Sequence, residues 1–189
     1  MSQSRAPISD AVVTLSPTGG DVSSGESPKH AVMVQEHQQF APFVLPIRVG
    51  TTVEFPNRDS FRHHVYSFSP AKTFELKLYG GGETQTVTFD VPGAVALGCN
   101  IHDNMLAYIY VVETPYFAKT SSNGRAVIQG VPPGNYEIAA WHPNQKSQPS
   151  NPTGNFDVVS ENNVEKIVSI EMKRDRRPRQ PGAFDEQGY

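Results

Sequence analysis

Cys99-Asn100-Ile101-His102-Asp103-Asn104-Met105 sets the chain's one cysteine, a histidine and a methionine at three-residue intervals. A thiolate, an imidazole and a thioether are the soft and borderline donors that copper takes in electron-transfer sites, where a trigonal His₂Cys set carries a weak axial Met. Such a set requires a second histidine. The segment Asn57 to Phe68 offers two, His63 and His64, where a polar, turn-like stretch runs into a strand, with His63 36 positions before Cys99. Neighbours in an extended strand point to opposite faces, so only one of the pair faces an interior site.

Each residue also has a blander meaning. A lone cysteine is most often a small buried hydrophobe, and a methionine near a strand end usually fills core. A single Cys can instead be a nucleophile, with His102 or His142 as its base. That enzymatic reading leaves Met105 and the upstream histidine pair without a part. Zinc takes Cys and His as well, but one thiolate with a thioether is a poor zinc set beside Cys₂His₂ or His₂Glu. Co-occurrence at loop spacing favours copper. His30 and His37 sit in polar segments and read as solvated. His142, between Trp141 and Pro143, reads as an edge or turn residue.

The elements that must position these donors are strands. Val32 to Gln35 is a strand candidate, Phe40 to Phe43 is irregular, and Leu45 to Phe55 alternates around a turn at Gly50. Period-two alternation marks half-buried strands. It recurs at Val65 to Phe68, Thr73 to Tyr79, Thr84 to Val91, Ala94 to Cys99 and Leu106 to Val112. Gly80-Gly81-Gly82 and Pro92-Gly93 supply turns between them. With 16 prolines, 15 glycines and no sustained 3.6-residue apolar period, the expected class is all-β.

The Asn-containing turn, the histidine at a strand start and the Cys-x₂-His-x₂-Met loop together resemble the small blue copper proteins, the cupredoxins, in their amicyanin and plastocyanin-like forms. The resemblance covers roughly 80 residues, 31–112, a size adequate for a Greek-key sandwich. It implies one copper ion cycling between Cu(I) and Cu(II), held by His63, Cys99, His102 and Met105. It further implies a monomeric one-electron carrier rather than an enzyme, of the type often labelled methylamine utilization protein, with a redox protein as donor and another as acceptor. The ring edge of His102 becomes the electron port, inside an apolar patch of Ile101, Leu106 and Ala107. Two positions depart from the pattern. Ile101 stands where many relatives have proline, and His64 where an Asn usually ties the ligand loops together. The alternatives are a copper-handling protein whose metal is cargo, and a purely structural binding sandwich.

A second pattern runs from Lys119 to Trp141: a turn, a strand around Val127 and Ile128, a Pro132-Pro133-Gly134 turn and another strand. It resembles the carboxypeptidase regulatory-like, or transthyretin-like, β-sandwich. The opening strand of that fold corresponds to Asp10-Ala11-Val12-Val13-Thr14-Leu15, which lies before the copper segment. The expected organisation is therefore an insertion. Residues 1–30 hold the first strand and a linker, 31–112 the cupredoxin unit, 113–172 the rest of the small sandwich and 173–189 a disordered basic tail. Its last strand is placed at Val164 to Met172, with Asn144 to Gly154 as a polar loop. The alternative is two sandwiches in series.

Charge narrows the partners. Lys173 to Pro181 carries five basic residues and one acid, so against a chain total of −3 the remainder sums to −7. No basic stripe with interleaved aromatics appears, which argues against nucleic acid. No run of about 18 apolar residues is present to span a membrane as a helix. The residues Met1 to Pro7 lack a secretory apolar segment, whereas the family resemblance implies a periplasmic protein.

Overall fold

The computed structural model describes residues 6–19, 29–146, 154–159 and 164–173, which contain strands and no helix. The all-β expectation therefore holds, and the strands stack as sandwiched sheets. The basic run expected after Lys173 lies outside the described residues.

Period-two burial builds the first sandwich. β2 (His30–Val32), β6 (Thr51–Pro56) and β9 (Thr84–Phe89) form one sheet, with β6 antiparallel to β9 and parallel to β2. β5 (Val44–Arg48), β11 (Leu106–Val112), β10 (Gly93–Cys99), β7 (His63–Ser69) and β8 (Lys72–Tyr79) form the other, in that order. Val53 and Phe55 of β6 and Phe89 of β9 meet Val65 of β7, Val95 and Leu97 of β10, and Ile109 of β11 in one core. Gly50, at φ 85, takes the left-handed conformation that glycine tolerates. The turn it makes does not close a hairpin: β5 pairs with β11 and β6 with β9, so the chain crosses there from one sheet to the other.

Two expectations around this sandwich need correction. The strand candidate at Val32 to Gln35 divides, with β2 entering the three-stranded sheet and β3 (Val34–Glu36) pairing instead with β4 (Gln39–Ala41). Met33, wholly buried, separates them. The turn of this β3–β4 hairpin is made by His37 and Gln38 at φ 54 and 58, a two-residue left-handed turn of the kind that matches the twist of paired strands. Part of the stretch taken as irregular is thus β4.

The outer face of the five-stranded sheet carries a third layer. β1 (Val12–Pro17) pairs antiparallel with both β12 (Tyr116–Lys119) and β13 (Gly134–Trp141), and β13 pairs with β14 (Gly154–Val158). Val12 and Trp141 pack with Phe43, Tyr108 and Tyr110 from the first sandwich. Trp141 stacks on Tyr110 at 4.3 Å with ring planes 5° apart, and Tyr108 meets its edge at 6.1 Å. Offset and edge-on ring pairs add to the area that aromatics bury.

The second sheet also differs from expectation. No strand forms around Val127 and Ile128: Ala126 and Ile128 turn inward and Val127 outward, but the sheet order β12-β1-β13-β14 leaves this stretch without a ladder partner. The final strand appears at Gly154–Val158, while Val164 to Met172 forms only an isolated bridge between Met172 and Gln145. Tyr136 and Phe156, directly opposite across β13 and β14, give the earlier segment its cross-strand apolar contact. Truncating Trp141 removes the ring shared by both layers, so Trp141→Ala is expected to lose about 3–5 kcal/mol of stability, measured as a drop in the urea midpoint.

Candidate metal centre

β10 delivers Cys99 as the last of three alternating buried residues, Val95, Leu97 and Cys99, so the thiol ends the inward row at the end of the sheet's central strand. Across the ladder, Cys99 faces Val65 of β7 and Gly98 faces Tyr66. A Cβ on Gly98 would stand 2.7 Å from the Tyr66 ring, so the close approach of that ring requires glycine. β7 starts at His63, whose side chain is wholly buried in the same inward row as Val65 and Ser67.

His63, Cys99 and His102 bring one donor atom each within 4.8 Å of one another. Cys99 Sγ lies 3.8 Å from His63 Nδ1 and 3.9 Å from His102 Nδ1. One ion can reach all three. Among the described residues this is the one such group of His, Cys, Asp and Glu side chains. Met105 is 2 % exposed, packs in the same core as Cys99, and closes the loop by donating its main-chain N–H to the His102 carbonyl at 3.0 Å. His64 does not join the cluster. The register shifts between His63 and Val65, and the His64 ring turns to Glu75, with Nε2 2.7 Å from the carboxylate.

The surroundings contain groups that the sequence reading passed over. Phe61 lies 5.2 Å from the His63 ring and 5.4 Å from His102, covering both imidazoles while remaining 39 % exposed. Ile101 and Leu106, expected beside half-buried His102, are also exposed. Ala107, expected in the same patch, points the other way along β11 and is fully buried.

Behind His63 lies a polar network. His63 Nε2 is 2.7 Å from Asp59 Oδ2. The Asp59 carboxylate also accepts the main-chain N–H of His37 at 2.7 Å and of Gln38 at 3.0 Å. Asp59 is itself held by an Asx turn, donating its N–H to Asn57 Oδ1, while Asn57 donates to the carbonyls of Phe61 and Tyr79. Burial raises the Asp59 pKa, but the hydrogen bond to His63, then those from Gln38 and His37, outweigh it, and the carboxyl ends below its ordinary value. The sequence signal was the Asn-x-Asp turn four residues before a histidine. His37, read as a solvated loop residue, is exposed, and the group it gives the site is its backbone N–H. His142 follows β13 into a turn as expected, but is buried, its Nδ1 accepting the Asn144 N–H.

No protein-family model matches the chain, and no curated protein matches it. Among solved structures, the chain is similar to the Cu-containing nitrite reductase NirK from Thermus scotoductus SA-01, with 31% identity over 51% of this chain and a TM-score of 0.43. It spans 25% of that protein's length. It is also similar to a purple cupredoxin from Nitrosopumilus maritimus, with 23% identity, 43% of this chain and 99% of that one covered, and a TM-score of 0.40. A reduced mutant of amicyanin aligns at 19% identity over 53% of this chain and 98% of its own, with a TM-score of 0.42.

Tyr79, opposite His63 in the ladder, donates its O–H to the Phe55 carbonyl at 2.8 Å and accepts from buried Gln35. Burial pushes its pKa up to about 12, the Gln35 hydrogen bond opposing and the charge of nearby Cys99 adding to the rise. The unfolded chain loses this proton near pH 10, so the native state holds it more tightly. Stability from this group is complete below about pH 10 and is lost as pH rises toward 12. Urea unfolding at stepped pH is expected to show Tyr79→Phe with a shallower alkaline decline than the parent. At neutral pH the same variant costs about 1–3 kcal/mol, since the Phe55 carbonyl and Gln35 each lose a buried hydrogen bond.

Proposed function

We propose that the chain is a type 1 copper protein that carries one electron between redox partners, and that His63, Cys99, His102 and Met105 would hold the copper. The observation that carries this reading is the spacing of the donors. Sulfur and nitrogen atoms 3.8 and 3.9 Å apart lie within reach of one ion bound at about 2.0–2.3 Å, and a buried His₂Cys set with a methionine in the same loop is the donor combination that copper takes in electron-transfer sites.

Burial supports a carrier over an exchanger. Cys99, His63 and Met105 are enclosed, and the core around them resists the rearrangement that a change of oxidation state invites. His102 alone among the four is half-buried, and exposed Phe61, Ile101 and Leu106 offer a partner apolar surface that sheds water. The redox donor and acceptor, and a periplasmic setting, belong to this same proposal. Among the described residues, no helix is long and apolar enough to cross a membrane.

The domain organisation is proposed on related grounds. We infer that residues 31–112 form a unit inserted into a smaller transthyretin-like sandwich, supported by β1 pairing with β12 and β13 on the far side of that unit. The test of function is a visible and EPR spectrum of Cu(II)-loaded protein beside Cys99→Ser and Met105→Leu. An intense thiolate-to-copper band is expected in the parent and in Met105→Leu, and absent from Cys99→Ser. Weak bands identical in the parent and Cys99→Ser would sink the copper reading.

A further inference from the structure

Asp59 touches no atom of the donor cluster except through His63, yet it is built into the fold with care. Its two carboxylate oxygens take three hydrogen bonds: the N–H of His37 on Oδ1, and the N–H of Gln38 and the His63 ring on Oδ2. The first two come from the left-handed turn of the β3–β4 hairpin. That hairpin is itself fastened to the site. Gln35 of β3 bonds to the Phe55 carbonyl and to Tyr79, and its carbonyl accepts the Arg58 N–H at 2.9 Å.

An acceptor-only carboxylate facing Nε2 requires a proton there, which in the neutral ring leaves the Nδ1 lone pair bare. Nδ1 is the nitrogen that faces Cys99. Resting on the copper reading above, we propose that Asp59, anchored by the β3–β4 turn, is a positioning residue that fixes His63 in the ligand-ready tautomer and biases the bound metal toward Cu(II). The bias follows from charge. A carboxylate behind the ring makes the imidazole a stronger donor, and the stronger donor stabilises the ion of higher charge more.

Asp59→Asn tests this with little change in shape. With its oxygen kept on the His37 N–H, Asn puts its NH₂ in the place of Oδ2, facing Nε2 and the Gln38 N–H, and His63 must then carry its proton on Nδ1, the wrong nitrogen for a ligand. The same substitution misdirects the tautomer in the Ser-His-Asp triad. In the metal-free parent, ¹⁵N spectra of the imidazoles are expected to show His63 protonated on Nε2. In Asp59→Asn they are expected to show it protonated on Nδ1. With metal, Cu(II) affinity is expected to fall 10- to 100-fold, the range for such supporting partners, while Cu(I) affinity falls less. If Cu(I) affinity held constant, the potential would rise by about 59 mV per tenfold loss for a one-electron couple.

The outcomes separate. A parent without a thiolate-to-copper band removes the copper reading, and the metal bias with it. A parent with that band, joined to an unchanged potential in Asp59→Asn, overturns the bias alone. Should Asp59→Asn fail to fold, the tautomer in the metal-free parent still decides, and His63 found protonated on Nδ1 would overturn the proposal.

Discussion

The 2.7 Å contact between His63 and Asp59 is the constraint around which this end of the molecule is organised. A carboxylate that is nearly enclosed must find enough donors to replace water, and Asp59 finds them in two places with different sequence origins. The Asx turn at Asn57 presents it, and the hairpin at His37 and Gln38 receives it. Both segments are thereby fixed relative to β7, and His63 has no freedom left to rotate. Tyr79 and Gln35 Nε2 extend the same network under the core, so the donor cluster stands on a floor of hydrogen-bonded polar groups and not on apolar packing alone.

What surrounds the cluster divides by solvent exposure. Inside, Leu97, Met105 and Val65 keep water from Cys99. Outside, Phe61 covers two imidazole rings with one aromatic side chain, so His63 is sealed while His102 keeps an edge toward the surface. An exposed phenylalanine ordinarily needs no explanation. Here its contacts with both rings give it one.

Much of this was legible in the chain itself. The donors announce themselves by type and spacing, and the strands that carry them alternate cleanly, so β7 to β11 fall within a residue or two of where alternation puts them. The identity of the ligand histidine was open between His63 and His64, because both sit at the start of one strand and both rings are buried. Asp59 and Phe61 were missed for a different reason. Each acts through a contact made only when a turn closes, and an acid or aromatic in a polar stretch has no period to betray it. The strand around Val127 and Ile128 failed in the opposite way: its alternation was genuine, but a strand also needs a ladder neighbour, and none pairs with it among the described residues. The segment Gly154–Val158 lacked a long alternating run and found that neighbour in β13.

The pairing of β1 with β13 also orders events in time. Thr18 reaches Asn135 across 117 positions of chain, and Ala11 reaches Thr120 across 109. β1 therefore leaves the ribosome long before its partners exist, and its apolar Val12, Val13 and Leu15 must wait exposed or find temporary cover. Long-range closures of this kind are slow, because the loop entropy is lost before the contacts repay it. Prior folding of the intervening strands shortens that loop to the distance between its ends. The sandwich that holds the donor cluster is then the natural first stage of assembly, and the sheet that stacks on Tyr110 is the last to close.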